Sequence, residues 1–433
     1  MIDTAEVYLW GTRIGVVHQA ESTSAATFEY DNIFKRSGIE VAPFMMPLSD
    51  RLYSFPELAH TDAFRGMPGL LADSLPDRFG NAVINNWLVS HGRKPESFSA
   101  VERLCYTGKR GMGALEYIPA TSPIQGKGTI VDVTEMTELA SEILSGKKEV
   151  ALSEREAGIL QLVEIGSSAG GARAKAVIAW NEKTGEIKSG QIDTEKGFEY
   201  WLIKFDGVSG NGDHSEVDKK QYSLIEYAYY LMAVDLGIDM SECRLYHKDG
   251  LNHFMTKRFD RSNNDKIHTQ TLAALCHVDY NIPNLFSYEL YTDYAKRLGL
   301  GKKAIEQIYK RMVFAVIGSN CDDHVKNFSF LMDRKGNWKL SPAYDITFSY
   351  NPVNRWISQH QMSVNGKTFA ITHDDLVMSG KNMGLSVEFC KNVIRKTEEI
   401  VSEWYKYAEK CNISEERANE VFEGIKAGNN TVL

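Results

Sequence analysis

The sequence predicts an α+β fold in which a small β-rich lobe and an all-helical lobe follow an additional N-terminal α/β subdomain. Three observations favour it. Alternating polarity marks strands in two early regions, helical spacing dominates after Leu272, and one hairpin pattern interrupts the late helices. Alternation with a period of two is typical of strands, and apolar residues three or four apart are typical of helices. We expect domains over residues 1–125, 126–262 and 263–433.

The first region predicts a hairpin, two further strands and one long helix. Two strands alternate in polarity around Gly11-Thr12, which is a hairpin signal. A stretch rich in Pro, Ser, Thr and Gly then indicates a domain boundary. The expected elements are strands Glu6–Trp10, Arg13–His18, Ala26–Tyr30 and Ala114–Ile118, a helix over Leu71–His91, and the boundary at Pro119–Gly128.

The second region predicts a small sheet with one inserted helix. Two helical patterns precede it, at Val133–Ser145 and Ser153–Val163. The sheet itself is expected from period-two runs bounded by turn residues. Its elements are strands Lys175–Trp180, Glu186 onward and Phe198–Phe205, the helix Lys220–Leu236, and a hairpin of Cys243–Tyr246 with His253–Phe259.

The strongest chemical signal lies within the late helices. Asp322 and Asn327 are five residues apart, a hairpin of Phe328–Met332 with Trp338–Leu340 follows, and Asp345 comes next. Protein kinases space their catalytic base and a metal-binding Asn in this way. The pattern therefore predicts a protein-kinase-like two-lobe fold with Asp322 as base and Asn327 and Asp345 as Mg²⁺ ligands. The alternative is a polar turn with a helix cap.

Two further residues of this segment are candidate catalytic groups. His324 could donate a hydrogen bond to a phosphate oxygen, or it could brace the loop through backbone bonds. Lys326 could contact a phosphate, or it could be a solvated charge or the partner of a helix end. Asp323 is interpreted as a structural or supporting residue. The sequence leaves these alternatives open.

A glycine-rich loop and a strand lysine predict the nucleotide site. Glycines in Gly166–Lys175 would let backbone amides approach phosphates closely. Lys204 emerges from an apolar strand and suits the α- and β-phosphates. The alternative is a lysine that keeps an exposed edge strand from pairing with another chain. Glu226 is a candidate ion-pair partner for Lys204. The strand Asn252–Phe259 would be the hinge for adenine, with Lys257 and Phe259 flanking the ring.

Five motifs together resemble the HipA family of bacterial serine/threonine kinases, the toxins of toxin–antitoxin modules. They are Gly-Ala-Arg-Ala-Lys at 171–175, Leu-Ile-Lys at 202–204, Lys-Arg-Phe-Asp-Arg at 257–261, Asp-Asp-His-Val-Lys-Asn at 322–327 and Pro-Ala-Tyr-Asp at 342–345. The resemblance covers essentially the whole chain, since the N-terminal region, with Leu-Pro-Asp at 75–77, resembles the small N-terminal domain of the family. Arg173, where the family often has Gln, is a departure, as is the missing acidic residue after Gln270.

The resemblance implies roles for individual residues and two cofactors, ATP and Mg²⁺. It makes Asp322 the base and Lys204 a phosphate contact, and it makes Ser168, or its neighbour Ser167, an autophosphorylation site. A phosphate on this loop would repel the nucleotide. The cofactor-binding residues expected are Ser168, Ala169, Gly170, Gly171, Ala172, Arg173, Lys175, Lys204, Lys257 and Phe259.

The resemblance also implies partners. Family members phosphorylate translation proteins, typically aminoacyl-tRNA synthetases, and are neutralised by a HipB-like helix-turn-helix antitoxin that binds DNA. The 433-residue chain carries 49 basic and 57 acidic residues, a net charge of −8. An acidic chain is a poor candidate for binding nucleic acid alone, so contact with DNA is expected only through the antitoxin.

Composition predicts a cytoplasmic location. The six cysteines form no CxxC pair and no evident disulfide framework, which favours a reducing compartment. No signal peptide and no membrane-spanning segment is expected.

Two rival functions remain open on the sequence. One is a kinase for a small molecule or lipid head group that uses the same phosphate site. The other is a non-catalytic protein that binds the antitoxin as a corepressor. The complete set of Asp322, Asn327, Asp345 and Lys204 argues against the second.

Overall fold

The computed structural model describes residues 2–21, 24–121, 130–144, 162, 173–208 and 221–428. Within these ranges every helix is too short or too polar to cross a lipid bilayer. The predicted helix Ser153–Val163 lies outside the described residues apart from Leu162. The helices are α1 Asn32–Lys35, α2 Gly69–Ala72, α3 Arg78–Ser90, α4 Ala100–Thr107, α5 Val133–Leu144, α6 Tyr222–Asp235, α7 Leu272–Cys276, α8 Tyr288–Arg297, α9 Lys302–Ile317, α10 His373–Asn382, α11 Val387–Ser402, α12 Trp404–Lys410 and α13 Glu415–Gly428.

A five-stranded antiparallel sheet forms the N-terminal region. Its strand order is β4-β3-β2-β1-β5. The predicted first hairpin is confirmed, but its turn is Trp10-Gly11, where both residues have positive φ. That geometry matches the twist of the flanking strands, which is why glycine suits the turn. The strands are β1 Thr4–Leu9, β2 Thr12–His18, β3 Thr27–Tyr30, β4 Tyr53–Ser54 and β5 Leu115–Ile118.

The single helix predicted over Leu71–His91 is wrong: the segment forms two helices, α2 and α3. Pro76 has no backbone N–H to donate and disfavours a helical conformation in the residue before it. Asp77 then caps α3, because its Oδ1 accepts a hydrogen bond of 2.7 Å from the backbone N–H of Gly80. The helical spacing of apolar residues continues from Leu75 to Phe79 across the break, so this spacing alone could not indicate that the helix is interrupted.

The second sheet is also antiparallel, with the order β7-β6-β8-β10-β9, and α6 is inserted between β8 and β9. This confirms the small sheet and inserted helix that the sequence predicted. The apolar side of α3 and α5 shares a buried cluster with this sheet. The strands are β6 Lys175–Trp180, β7 Ile187–Ser189, β8 Glu199–Lys204, β9 Cys243–Lys248 and β10 Leu251–Lys257.

The late region is mainly helical and surrounds the largest buried cluster, built from α6 and from α8 to α13. It also contains the predicted hairpin of β15 with β16, to which β13 adds a third strand. Small ribbons complete it. The strands are β11 Arg261–Ser262, β12 Asp265–Lys266, β13 His268–Thr271, β14 Phe286–Ser287, β15 Ser329–Met332, β16 Trp338–Leu340 and β17 Met362–Ser363.

The N-terminal region packs directly against the late region where α2 meets α7. A Cβ at Gly69 would lie 2.1 Å from the carbonyl oxygen of Ala274 and 2.7 Å from the ring of His277. His277 Nε2 also accepts a 2.9 Å hydrogen bond from the backbone N–H of Gly69. A side chain at position 69 would therefore force the two parts of the chain apart.

Gly69→Ala is expected to lower the free energy of unfolding by about 1–3 kcal/mol, because the added methyl group overpacks a backbone contact. Urea unfolding followed by circular dichroism would measure it. Gly301→Ala is the control, since a Cβ at Gly301 meets no atom within 4 Å and only its role as N-cap of α9 changes, at a cost of less than about 1 kcal/mol. Equal unfolding midpoints for Gly69→Ala and the wild type would contradict the packing argument.

Candidate active site

Asp322, Asn327 and Asp345 line one cavity within the late region. The chain turns through a 3₁₀ segment, Val325–Asn327, between the first two. The Asn327 side-chain N–H donates a 2.9 Å hydrogen bond to the carbonyl oxygen of Asp322, and the Asp322 N–H donates to Ser349 Oγ at 2.9 Å. These bonds fix the loop while the Asp322 side chain stays 46% exposed. The three oxygen-bearing residues are therefore brought together as the spacing predicted.

Asp345 adopts a left-handed backbone conformation, with φ of 56°, directly after the β15–β16 hairpin. Its Oδ1 contacts the Lys204 ammonium. Burial opposes ionisation of this carboxyl group, but the charge of Lys204, followed by that of Lys175, outweighs burial and holds the pKa of Asp345 well below its usual value. Asp345 is therefore a carboxylate at neutral pH.

Lys204 lies near the end of β8 and its ammonium forms an ion pair of 2.6 Å with Glu226 on α6. The predicted partnership of Lys204 with Glu226 is confirmed. Burial alone would lower the pKa of Lys204, but Asp345 and Glu226 raise it above its usual value. Lys204 therefore carries a fixed positive charge beside Asp345.

A cleft of about 790 Å³ adjoins this cavity at the end of β10. Leu202, Thr256, Phe259 and Tyr344 are among its lining residues, and the Phe259 and Tyr344 rings lie 5.6 Å apart. Lys257 contributes to the lining, but its ammonium is engaged by Glu199 at 2.5 Å. Hence Phe259 faces the cleft as expected, whereas the charge of Lys257 is held by a carboxylate of β8.

His324 and Lys326 occupy different positions around Asp322. His324 Nε2 lies 3.8 Å from Asp322 Oδ1, and its ring is tilted against Tyr280 at 5.5 Å. The Lys326 ammonium lies 5.0 Å from the centre of the same Tyr280 ring, and Lys326 lines the larger cleft. Burial lowers the pKa of Lys326, but Tyr280 and Asp73 outweigh it and the pKa is raised. Sequence reasoning missed Tyr280, which contacts both residues.

The glycine-rich loop is only partly described. Ser167, Ser168, Ala169, Gly170, Gly171 and Ala172 lie outside the described residues. Beyond the loop, the Arg173 guanidinium lies 4.3 Å from the centre of the Tyr222 ring. Lys175 starts β6 and pairs in register with Lys204 on β8. Two of the predicted cofactor-binding lysines are therefore direct neighbours.

Comparison with known proteins identifies the family. The HipA N-terminal domain model matches residues 5–118, and the HipA-like C-terminal domain model matches residues 167–428. The chain belongs to the HipA family. In a solved complex from Shewanella oneidensis MR-1, HipA is assembled with HipB and operator DNA. The structure is similar to this chain with a TM-score of 0.66 and 15% identity, covering 98% of this chain and 96% of that one. The likeness confirms the predicted fold class.

Two curated relatives match less than half of this chain. The "Putative kinase" of Haemophilus influenzae is 25% identical over 44% of this chain and 64% of its own length. "Putative kinase Y4dM" of Sinorhizobium fredii is 24% identical over 42% of this chain and 49% of its own length. The matches thus span less than two thirds of either relative.

In this HipA-family chain a buried network supports the loop that carries Asp322. Asp323 accepts hydrogen bonds from the Tyr288 hydroxyl at 2.8 Å and from the Gln361 N–H at 2.7 Å, and it pairs with His360 Nδ1 at 3.0 Å. This agrees with a supporting role for Asp323. Sequence reasoning missed His360 and Gln361, because no local spacing connects residues almost 40 positions apart.

The His360 network predicts a pH-dependent stability. Burial lowers the pKa of His360, but Cys321 and Asp323 outweigh it and raise the pKa well above 6.5. The folded ring then holds a proton that the unfolded ring releases, so stability is fully present below about pH 6.5 and is lost as pH rises towards the folded pKa. The free energy of unfolding should fall by up to about 1.4 kcal/mol per pH unit above about pH 6.5.

Urea unfolding of the wild type and of His360→Gln between about pH 6 and pH 8.5 would measure this slope. His360→Gln should be less stable but should lose most of the slope. His373→Gln, which changes a half-exposed histidine paired with Glu398, is the control and should keep it. The interpretation is wrong if His360→Gln retains the full pH dependence.

Proposed function

We propose that this HipA-family chain is an ATP- and Mg²⁺-dependent serine/threonine protein kinase. The observation that carries the proposal is the convergence of Asp322, Asn327 and Asp345 on one cavity, with Lys204 in contact with Asp345. A base, two oxygen ligands and a fixed cation are the groups that phosphoryl transfer requires, since its catalysis is mostly positioning and charge stabilisation.

The donor set of the cavity fits Mg²⁺. Because the Asn327 amide nitrogen donates to the carbonyl of Asp322, the amide oxygen is left for a metal. Asp345 adds a carboxylate, and Mg²⁺ is commonly bound through one or two such groups together with phosphate oxygens. The adjoining cleft, with its apolar walls and the hinge backbone of Thr256 to Phe259, suits an adenine ring.

The residues divide the work of the reaction among them. When bound, Mg²⁺·ATP supplies the phosphoryl group and a cation that offsets the phosphate charge. Lys204 would hold phosphate oxygens. Asp322 would accept the proton of the acceptor hydroxyl while that oxygen bonds to the γ-phosphorus, the bond from this phosphorus to the bridging oxygen breaks, and ADP leaves. His324 Nε2 lies 3.8 Å from Asp322 Oδ1, and we propose that it donates to a phosphate oxygen or holds that carboxylate. The partial exposure of Asp322 suits an acceptor that arrives from solvent.

The acceptor proposed is a serine or threonine of a protein, of the aminoacyl-tRNA synthetase class. The partner proposed is a HipB-like helix-turn-helix antitoxin, which would make this chain the toxin of the pair. Support comes from the solved HipA that is assembled with HipB and operator DNA. The net charge of −8 is compatible with a basic DNA-binding partner.

Autophosphorylation is proposed at Ser168 or Ser167. Both belong to the glycine-rich loop that precedes Lys175, and Lys175 is paired with Lys204. A serine so close in sequence to the phosphate site could reach a bound nucleotide. A phosphate group of about −1.5 to −2 charges there would oppose further nucleotide binding.

The test is incubation of the purified chain with Mg²⁺ and ATP, followed by mapping of phosphate by mass spectrometry. We expect phosphate on Ser168 or Ser167 in the wild type and none in Asp322→Asn. Asp293→Asn is the control, because it removes one negative charge from an exposed position on α8. A bacterial lysate with labelled ATP extends the test to other proteins.

Each rival function gives a different result in these experiments. A kinase for small molecules or lipid head groups would consume ATP without labelling any protein. A non-catalytic corepressor would give identical results for the wild type and Asp322→Asn. Failure of the unmodified wild type to bind Mg²⁺·ATP would overturn the proposal.

A further inference from the structure

An aspartate of the N-terminal region lies beside the predicted phosphate site. Asp77 Oδ2 is 3.9 Å from the Lys175 ammonium, and the two side chains are only 2% and 4% exposed. Asp77 belongs to the turn between α2 and α3, almost 100 residues before Lys175. The pair therefore connects two parts of the chain that are far apart in the sequence.

Lys175 needs a counter-ion because of its neighbour. It stands directly opposite Lys204 in the β6–β8 ladder, and both lysines are buried. Like charges directly opposite in an antiparallel pair destabilise the sheet. The carboxylates of Glu226 and Asp345 also face this region, but both are in direct contact with Lys204.

The geometry of Asp77 leaves one oxygen for Lys175. Oδ1 accepts the hydrogen bond from Gly80 that caps α3. Oδ2 is buried and has no hydrogen-bond partner among the described residues. Burial raises the pKa of Asp77, and the charge of Lys175, followed by the hydrogen bond from Gly80 and the charge of Lys326, opposes burial only in part. The cap holds the carboxyl group in place, so Oδ2 lies at a fixed position beside the Lys175 ammonium.

We propose that Asp77 is a positioning residue that holds the Lys175 ammonium beside Lys204 and so completes the site for the phosphates of the nucleotide. The inference rests on the proposed nucleotide-binding function. It assigns a part of that site to the N-terminal region, which then acts in nucleotide binding through Lys175. Asp77 itself is not expected to touch the nucleotide.

A double-mutant cycle on nucleotide affinity tests the inference. Calorimetric titration with Mg²⁺ and a non-hydrolysable ATP analogue would compare the wild type, Asp77→Asn, Lys175→Met and the double variant. Asn is as good an N-cap as Asp, so Asp77→Asn removes the charge and keeps the cap. We expect Asp77→Asn to weaken binding roughly tenfold, as for coupled neighbouring groups, and to have almost no effect in the Lys175→Met background.

Asp31→Asn is the matched control. Asp31 also caps a helix of the N-terminal region, by accepting from the Ile33 N–H at 2.8 Å, but it pairs with Arg13, and neither residue lines the cleft. It should leave nucleotide affinity unchanged. Asp77→Ser retains a cap by a different side chain and should repeat the loss seen with Asp77→Asn, which guards against a folding defect in one variant.

The outcomes separate this inference from the proposed function. If the unmodified wild type binds no nucleotide, the proposed function fails. If the wild type binds and Asp77→Asn binds equally well, the positioning role is overturned. It is also overturned if Asp77→Asn weakens binding to the same extent with and without Lys175, because the effect would then not act through that lysine.

Discussion

Asp322→Asn is expected to slow phosphoryl transfer by roughly 10²–10⁴-fold, the contribution of a positioned general base. The amide cannot accept the proton of the acceptor hydroxyl, whereas the loop should survive. Asp322 is held by its backbone, through the N–H to Ser349 and the carbonyl to Asn327. Its side chain is 46% exposed, so the substitution buries no new polar group. Nucleotide binding should therefore be almost unchanged.

Single-turnover transfer from labelled ATP to the chain's own loop would measure the rate, and calorimetric titration would measure nucleotide affinity. Asp323→Asn is an informative comparison. It replaces one oxygen of a buried carboxylate that has three partners by an NH₂ group that cannot accept, so it should lower stability as well as rate. A loss of less than about tenfold in Asp322→Asn would fall short of general base catalysis and would remove Asp322 from that role.

Asp260→Ala is expected to destabilise the fold by about 3–5 kcal/mol, because it leaves two buried guanidinium groups without a carboxylate. Asp260 is fully buried and pairs with Arg258 at 2.7 Å and Arg261 at 2.8 Å. Its Oδ2 also accepts a 2.7 Å hydrogen bond from the Gly113 N–H in the N-terminal region. Breaking a buried ion pair by removing one partner is among the most costly single substitutions.

The same cluster predicts a loss of stability in acid. Burial opposes ionisation of Asp260, but Arg258 and Arg261 outweigh it and hold its pKa far below the usual value. A depressed folded-state pKa contributes stability above the unfolded pKa of about 4, and that contribution is lost as pH falls below it. The wild type should therefore lose stability below about pH 4 more steeply than Asp260→Ala.

Urea unfolding midpoints at neutral and acid pH would measure both effects. Asp265→Ala is the control, since Asp265 is 80% exposed and lies 3.6 Å from an exposed Arg334. It should change stability by less than about 0.5 kcal/mol. If Asp260→Ala costs no more than this control, the charged cluster contributes little to the fold.

The parts of the site that local sequence could predict are those built from contiguous residues. The run from Asp322 to Asp345 contains a loop, a hairpin and an acidic residue, and all three form as expected. Its geometry is set by short-range turn and strand preferences, so its spacing is informative. The strand position of Lys204 was predictable for the same reason, since apolar residues surround it on β8.

Other parts depend on contacts between distant segments, which leave no local pattern. Asp77 meets Lys175, and Asp323 meets His360, only after the chain has folded. Lys257 lies on a strand as predicted, but its ammonium forms an ion pair with Glu199 on the neighbouring strand. Strand propensity does not predict which side chains meet across two strands. The prediction of one helix through Leu75 was wrong because it relied on apolar periodicity. It did not take into account Pro76 and the capping residue Asp77, which mark the start of a new helix.

The bond from Gly113 to Asp260 has a consequence for dividing the polypeptide. Arg261 also donates to the carbonyl oxygens of Gly111 at 3.1 Å and Gly113 at 3.0 Å. The segment that follows β10 is therefore hydrogen-bonded to the backbone just before β5 of the first sheet. A fragment beginning after residue 121 would keep the three charged side chains of Arg258, Asp260 and Arg261. It would lose the backbone groups before β5 that form hydrogen bonds with them. Separate halves should therefore be poorly soluble alone and should recover when produced together.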